Sequence, residues 1–87
     1  MRNYLVDIRE TTGVTQQDVA DKISISRQSY QAIEAGRRQA DLKTSMIAKL
    51  ADVFGMTASE IYRMEADYQA ERTAVLQAQG LAPANNA

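Results

Sequence analysis

The sequence has no cysteine, no histidine and no tryptophan, and its one proline is Pro83. Without cysteine there is no disulfide framework, no thiolate metal ligand and no cysteine nucleophile. Without histidine, the chain also lacks the side chain that most often serves as a general base or a metal ligand. We therefore expect no enzyme, no bound metal and no other cofactor.

Long apolar runs and a large excess of one charge are also missing. No segment approaches the roughly 18 apolar residues that a membrane helix needs. The first ten residues, MRNYLVDIRE, carry charges where a signal peptide has its apolar region. We expect a cytoplasmic protein with no membrane partner. A chain of 87 residues has room for one small core.

Glycine residues divide the chain into helical segments. Gly13, Gly36, Gly55 and Gly80 each follow a run of helix-forming residues, as expected for a residue in the left-handed position that ends a helix. No segment shows the sustained alternation of apolar and polar residues that is typical of a strand. The pattern predicts an all-α fold of five helices.

Capping side chains predict where these helices begin. A Ser, Thr or Asp before a helix accepts a hydrogen bond from a free backbone N–H group, and an acidic residue three positions later completes a capping box. No glycine or proline interrupts residues 58–79, so the fifth helix either continues through this range or restarts near Glu65. The expected caps are Thr15 with Asp18, Ser26, Asp41 or Thr44, and Thr57 with Glu60.

Apolar residues recur at helical spacing in each segment, which predicts one shared core. In the third helix, over residues 27–35, Tyr30 and Ile33 point the same way and leave the polar side chains outside. The other expected core positions are Leu5 and Ile8 with Tyr4 or Val6, then Val19, Ala20, Ile23, Ile25, Met46, Ile47, Leu50, Ala51 and Phe54.

Two short helices with a three-residue connector and a polar outer face on the second are the ingredients of a helix-turn-helix. The stretch TQQDVADKISISRQSYQAIEAGRR, residues 15–38, resembles this motif in the Cro/CI-type (Xre-like) family of phage and bacterial repressors. The similarity includes the TQ-x-x-V-A opening, the S-R-x-x-Y third helix and the I-E-x-G closure, and it covers about residues 2–64. The resemblance implies a lambda-repressor-like DNA-binding domain over residues 1–64. Beyond the usual family domain, we expect a helical extension over 65–80 and a disordered tail over 81–87.

By this resemblance, the first residues of the third helix read double-stranded DNA. The major groove, ~12 Å wide, admits one helix, whose N-terminal residues face the base edges. Arginine can donate two hydrogen bonds to guanine, and glutamine can pair with adenine. We therefore predict base contacts from Arg27 and Gln28, with Ser29 and Gln31 as further candidates. The alternative is that these are ordinary solvated side chains.

The resemblance also implies a phosphate contact from Gln16 and a structural ion pair between Arg9 and Glu34. Arg37, Arg38 and Lys43 are further candidates for phosphate contacts, because cations suit the end of the third helix and the loop that follows it. Gln16 could instead be plain helix surface, and the two arginines the solvated edge of a loop.

The distribution of charge matters more than the formal net charge of -1. Residues 22–49 sum to +4, whereas residues 1–21 sum to -2 and residues 50–87 to -3. Positive charge is thus concentrated where a duplex would lie. Because phosphate neutralisation dominates affinity for DNA, such a modest patch predicts salt-dependent binding that is weak for one subunit alone. A homodimer on a palindromic site would compensate.

The fifth helix offers a candidate dimer surface. Ile61, Tyr68 and Val75 recur every seven residues and Met64 lies between them, although Glu71 interrupts the series. The stripe could face a second copy, the protein's own core, or a different protein.

The sequence predicts a dimeric transcriptional regulator, in particular a repressor from a phage or mobile element. A restriction-modification controller, an antitoxin with the same domain, and a helical protein-interaction module without DNA binding are the alternatives. One departure from the family concerns the connector, which has Ser24 where a glycine in the left-handed conformation is usual.

Overall fold

Five helices form the part of the chain that the computed structural model describes, residues 1–78. They are α1 (Asn3–Thr12), α2 (Gln16–Lys22), α3 (Arg27–Glu34), α4 (Thr44–Phe54) and α5 (Ala58–Ala78). The predicted all-α fold is confirmed, and none of these five helices is long and apolar enough to cross a membrane. The predicted helix stop at Gly80 and the predicted tail over 81–87 lie outside the described residues.

Three of the predicted helix starts are confirmed. The Thr15 hydroxyl accepts a hydrogen bond from the Asp18 N–H at 3.1 Å, and the Asp18 carboxylate accepts one from the Thr15 N–H at 3.0 Å. Thr57 and Glu60 form the same reciprocal pair at 3.1 and 2.9 Å. Ser26 caps α3 by accepting from a backbone N–H of the first turn at 3.1 Å. These contacts fix the starts of α2, α3 and α5 from local sequence.

The predicted cap of α4 is wrong. Lys43, rather than Asp41 or Thr44, occupies the N-cap position, and its side chain makes no capping hydrogen bond. The Lys43 N–H instead donates to the side-chain oxygen of Gln39 at 3.3 Å. A glutamine four residues upstream lies outside the usual capping pattern, so no local signal in the sequence indicates this contact.

The connector between α2 and α3 turns through Ser24, which adopts a left-handed φ of 61°. The Ser24 N–H donates to the carbonyl of Asp21 at 3.2 Å, and the Ile25 N–H donates to that of Ala20 at 2.9 Å. This pair of bonds is the Schellman arrangement that usually has glycine at the left-handed position. The serine therefore keeps the turn of the family but carries the strain of a side chain at positive φ.

Twelve apolar side chains form one core to which all five helices contribute. α2 packs against α3 and α4 against α5, and α1 contacts both α3 and α4. Tyr30 and Ile33 anchor α3 in this core at 0 and 2% exposure, which leaves the opposite face of α3 to solvent. The buried residues are Leu5, Val19, Ala20, Ile23, Tyr30, Ile33, Met46, Ile47, Leu50, Ala51, Phe54 and Ile61.

Most of the candidate dimer stripe on α5 is covered by the protein's own chain, which is one of the three alternatives for it. Ile61 is fully buried in the protein's own core, and Met64 packs against that core. Tyr68 lies 5.0 Å beneath the guanidinium of Arg2 from the same chain. Of the four residues, Val75 is the one with a largely exposed side chain, at 53%. A seven-residue repeat identifies one face of a helix, but it does not identify what covers that face.

We predict that Ser24→Gly stabilises the protein, because glycine adopts positive φ without a Cβ penalty. The expected gain in the free energy of unfolding is about 1 kcal/mol, or a rise in Tm of about 5 °C. Urea and thermal unfolding followed by circular dichroism would measure it. The matched control is Ser45→Gly in the helical backbone of α4, for which we expect no gain. Equal effects of the two substitutions would contradict the assignment of strain to Ser24.

Candidate nucleic-acid interface

The exposed face of α3 carries the residues that we predicted to read bases. Arg27 and Gln28 stand in the first turn and are exposed, and Gln31 is exposed one turn later. Ser29 is half-buried. This face points away from the core, since the opposite face of the same helix is held there by Tyr30 and Ile33.

A small hydrogen-bonded group joins the first turn of α3 to the loop that follows this helix. The Ser26 hydroxyl accepts from the Ser29 N–H at 3.1 Å and donates to the Ser29 hydroxyl at 2.9 Å. The Arg38 guanidinium reaches the same Ser29 hydroxyl at 3.5 Å. One candidate phosphate contact therefore lies beside the candidate base contacts, although the two are nine residues apart in sequence.

A buried carboxylate at the end of α3 holds three helices together. Glu34 is 2% exposed, and it accepts hydrogen bonds from Arg9 at 2.9 Å to Oε2 and 3.1 Å to Oε1. Gln16, at the start of α2, also donates to Glu34 Oε1, at 3.1 Å. The ion pair between Arg9 and Glu34 is thus present in the structure. The contact from Gln16 was not expected from the sequence.

The surroundings of Glu34 and Arg9 favour the charged form of both side chains. Burial by itself would raise the pKa of Glu34, but the hydrogen bonds from Arg9 and Gln16 outweigh it and hold the pKa below its ordinary value. The hydrogen bond to Glu34 raises the pKa of Arg9. Burial, together with the negative charge of Glu34, raises the pKa of the Tyr30 phenol. Among residues 1–78, the Tyr30 hydroxyl is the one buried side-chain polar atom without a hydrogen-bond partner.

The four candidate phosphate contacts have different surroundings. Gln16 is half-buried, and its amide nitrogen has a second N–H beyond the one that Glu34 accepts. Arg37, Arg38 and Lys43 are exposed in the loop between α3 and α4. These four side chains carry N–H donors, and three of them carry positive charge. Nowhere in residues 1–78 do acidic side chains cluster in a way that could hold a metal ion.

Sequence reasoning missed a second buried ion pair, between Arg2 and Glu65. Arg2 is 0% exposed, and its Nε lies 2.9 Å from Glu65 Oε1. Tyr4 donates to Glu65 Oε1 at 2.7 Å, and Gln69 donates to Glu65 Oε2 at 2.8 Å. The pair joins residues 63 positions apart, so no local pattern could reveal it. The spacing of Glu65 and Gln69, one helical turn, is the only signal in the sequence.

Comparisons with known proteins agree on one class. The sequence profile of the helix-turn-helix family matches residues 5–61. An uncharacterised HTH-type transcriptional regulator from Methanocaldococcus jannaschii is 37% identical over 67 residues, which is 77% of this chain and 98% of that protein. No solved structure matches the chain.

We predict that acid destabilises the protein through Glu34 and Glu65. Both carboxyl groups have a pKa below the ordinary 4.5 in the folded state. Their contribution to stability is therefore complete above about pH 4.5 and is lost as the pH falls through the folded pKa values. Urea unfolding at a series of pH values between about 2.5 and 7 would measure the loss.

The matched variants for this experiment are Glu34→Gln and Glu10→Gln, the second of which changes an exposed carboxylate. Glu34→Gln should lower the free energy of unfolding by about 2 kcal/mol at pH 7, because it leaves Arg9 without its counter-charge. It should also reduce the loss of stability between about pH 4.5 and acid pH, which we call the acid limb of the profile. Glu10→Gln should reproduce the wild-type profile. An unchanged acid limb in Glu34→Gln would contradict the role given to this carboxylate.

Proposed function

The chain belongs to the Cro/CI-type helix-turn-helix family, and on this premise we propose that it is a sequence-specific, DNA-binding transcriptional regulator. The observation that carries the proposal is the division of α3 into two faces. Tyr30 and Ile33 fix one face in the core, while Arg27 and Gln28 stand exposed at the start of the other. A helix presented in this way can enter the major groove with its first turn toward the bases.

Base recognition in this proposal depends on the hydrogen-bonding groups of α3. The Arg27 guanidinium can donate to both O6 and N7 of a guanine, and the Gln28 amide can donate to and accept from an adenine. Gln31 lies one turn later on the exposed side and could reach a further base. The Ser29 hydroxyl already takes part in the cap, so we expect a smaller contribution from it.

Contacts with the sugar-phosphate backbone would come from both sides of α3. Gln16 offers its free amide N–H, and Arg37, Arg38 and Lys43 offer positive charge from the following loop. This is the part of the chain where residues 22–49 sum to +4. Contacts of this kind fix the orientation of the protein on the duplex and make its affinity fall with salt.

We propose repression as the mode of action. A protein that occupies its operator blocks access of other proteins to the same stretch of DNA, and it needs no further chemistry to do so. A regulator from a phage or mobile element, a restriction-modification controller and an antitoxin would all use the same surface. The identity of the genes beside the operator would distinguish them.

The first test of this function distinguishes preference for a DNA sequence from affinity for DNA of any sequence. A binding site is selected from genomic fragments by gel shift at low salt, and affinities are then measured at several salt concentrations. Arg27→Ala combined with Gln28→Ala should lose about 1–3 kcal/mol of preference for each contacted base. Arg37→Ala should instead weaken binding to all sequences and make the salt slope shallower by about 1 per subunit.

The two variants serve as controls for each other, because each removes exposed side chains without touching the core. If no fragment is retained at low salt, the proposed DNA-binding function is wrong. If the double variant of α3 keeps the full site preference of the wild type, α3 is not the recognition helix.

We further propose that the protein acts as a homodimer on a palindromic site. Two recognition helices can then enter successive major grooves ~34 Å apart, which doubles the number of contacts. The end of α5 supports this proposal, since residues 70–78 are exposed except for half-buried Leu76. Val75 is 53% exposed beside Leu76, and Met1 from the same chain is 63% exposed on the same surface. A second copy could cover this apolar patch.

We predict that Val75→Glu combined with Leu76→Glu yields a monomer in sedimentation velocity and weakens binding to the full palindrome, because it places charge in the proposed contact. Binding to a single half-site should be unchanged. The matched control is Ala74→Glu combined with Gln77→Glu, which puts the same charges on the opposite, exposed face of the helix. If the Val75 and Leu76 variant remains a dimer, the interface lies elsewhere.

A further inference from the structure

Arg2 stands just before α1, and its side chain is completely buried. It forms a two-point contact with Glu65 of α5, from Nε to Oε1 at 2.9 Å and from Nη2 to Oε2 at 3.1 Å. Arginine forms such fork-shaped pairs because its guanidinium is planar and presents parallel N–H groups. This contact ties the start of the chain to the third turn of α5.

The remaining N–H groups of Arg2 bind the main chain around the end of α3. Nη1 donates to the carbonyl oxygens of Ile33, at 2.6 Å, and Arg38, at 3.3 Å. Nη2 donates to those of Gln39, in a short contact, and Ala40, at 3.4 Å. Arg2 therefore holds four carbonyl groups along a segment of eight residues. The donors of one side chain fix the path of the loop that carries Arg37 and Arg38.

The loop needs this support because its conformation is unfavourable by itself. Gln39 adopts a left-handed φ of 50°, a conformation that costs a residue other than glycine of order 1 kcal/mol. Such a residue persists only where its surroundings hold it in place. The contact from Arg2 to the Gln39 carbonyl supplies such a constraint.

α5 also approaches the loop directly. Gln69 donates to the carbonyl of Ala40 in a short contact and to Glu65 at 2.8 Å. The Tyr68 ring lies 5.0 Å from the Arg2 guanidinium, and its hydroxyl would be 2.6 Å from a Cβ at Gly36. Gly36 is thus required both for its φ of 82° and for the close approach of Tyr68.

We propose that Arg2, Glu65, Tyr68 and Gln69, which we call the Arg2 clasp, position Arg37 and Arg38 for contact with DNA phosphates. The proposal rests on the proposed DNA-binding function and adds a role for residues that are remote from the recognition helix in sequence. Arg2 itself touches no DNA, because it is buried beneath the loop. It acts through the main chain, as a positioning residue.

The charge balance of the clasp keeps it formed over a wide range of pH. Burial acts to lower the pKa of Arg2, but the hydrogen bonds and charge of Glu65 raise it by more. Burial acts to raise the pKa of Glu65, and the hydrogen bonds from Arg2, Tyr4 and Gln69 lower it by more. Both groups therefore remain charged near neutral pH, where DNA binding would be measured.

The test compares Arg2→Lys with the loop variant Arg37→Ala/Arg38→Ala, by fluorescence anisotropy on the selected DNA site across a salt series. Lysine keeps the positive charge, but it cannot form the fork with Glu65 and bind four carbonyls at once. We expect Arg2→Lys to weaken binding to all sequences by roughly tenfold and to make the salt slope shallower by about 2 per subunit. Preference among bases should be retained, and adding Arg2→Lys to the loop variant should have no further effect.

Two further variants make the outcome decisive. Arg63→Met removes one exposed positive charge from α5, outside residues 22–49, and should leave the salt slope unchanged. Gln69→Ala removes one contact with the loop and should act in the same direction as Arg2→Lys, with a smaller effect. If circular dichroism shows that Arg2→Lys is unfolded, the salt slope of Gln69→Ala tests the clasp proposal in its place. Amide hydrogen exchange provides a second readout, because the N–H groups of Arg37 and Arg38, both bonded to the Ala32 carbonyl, should exchange faster in the clasp variants.

The possible failures are distinguishable. If the loop variant makes the salt slope shallower while the folded clasp variants keep the wild-type slope, Arg2 only stabilises the fold and the clasp proposal is wrong. If the loop variant keeps the wild-type slope, Arg37 and Arg38 contact no phosphate, and the clasp proposal fails with them. The effect of Arg27→Ala with Gln28→Ala on site preference then still decides whether α3 reads DNA.

Discussion

The carboxylate of Glu34 is the interaction on which the arrangement of the first three helices depends. It ends α3, is almost completely buried, and accepts hydrogen bonds from Arg9 of α1 and Gln16 of α2. Its main-chain carbonyl also accepts from the Arg2 N–H at 2.7 Å. A buried charge without partners would cost several kcal/mol, so the three helices have to meet where these donors converge. The outward direction of the polar face of α3 follows from that meeting point.

Features that depend on neighbouring residues could be predicted from the sequence. Glycines mark the ends of three helices, at Gly13, Gly36 and Gly55, and capping boxes mark two helix starts, at Thr15 and Thr57. The hydrogen bonds of these glycines and capping boxes join residues at most four positions apart. The buried face of each helix likewise repeats every three or four residues. The left-handed turn at Ser24 is also closed by local hydrogen bonds, to carbonyls three and five residues earlier, but the family resemblance rather than the serine itself pointed to it. The cap of α4 failed as a prediction because the acceptor there is a glutamine four residues before Lys43, a residue type and position outside the usual capping pattern.

Contacts between distant parts of the chain could not be predicted in this way. Arg2 and Glu65 each look like ordinary charged residues at the surface of a helix, and only the fold brings them together. For the same reason, the sequence left open whether a second copy, the protein's own core or a different protein covers the stripe on α5. The seven-residue repeat of Ile61 and Tyr68 is real, but their partners are the core and Arg2 of the same chain. Gln16 shows the limit of the family resemblance, which implies a role toward DNA and says nothing of the hydrogen bond to Glu34.

The two kinds of contact support different parts of the proposed interface. Arg27 and Gln28 depend on the cap at Ser26 and on the core contacts of Tyr30 and Ile33, all of which lie within α3 or beside it. The loop that carries Arg37 and Arg38 depends on Arg2 and on α5. Substitutions of Arg27 and Gln28 therefore leave the contacts of Arg2 and α5 with the loop intact. The hydrogen bond from Arg38 to the Ser29 hydroxyl, at 3.5 Å, is the link between the loop and the first turn of α3. On the proposed function, Arg27 and Gln28 can change in evolution with little effect on the phosphate contacts, because largely separate contacts in the fold hold the two groups.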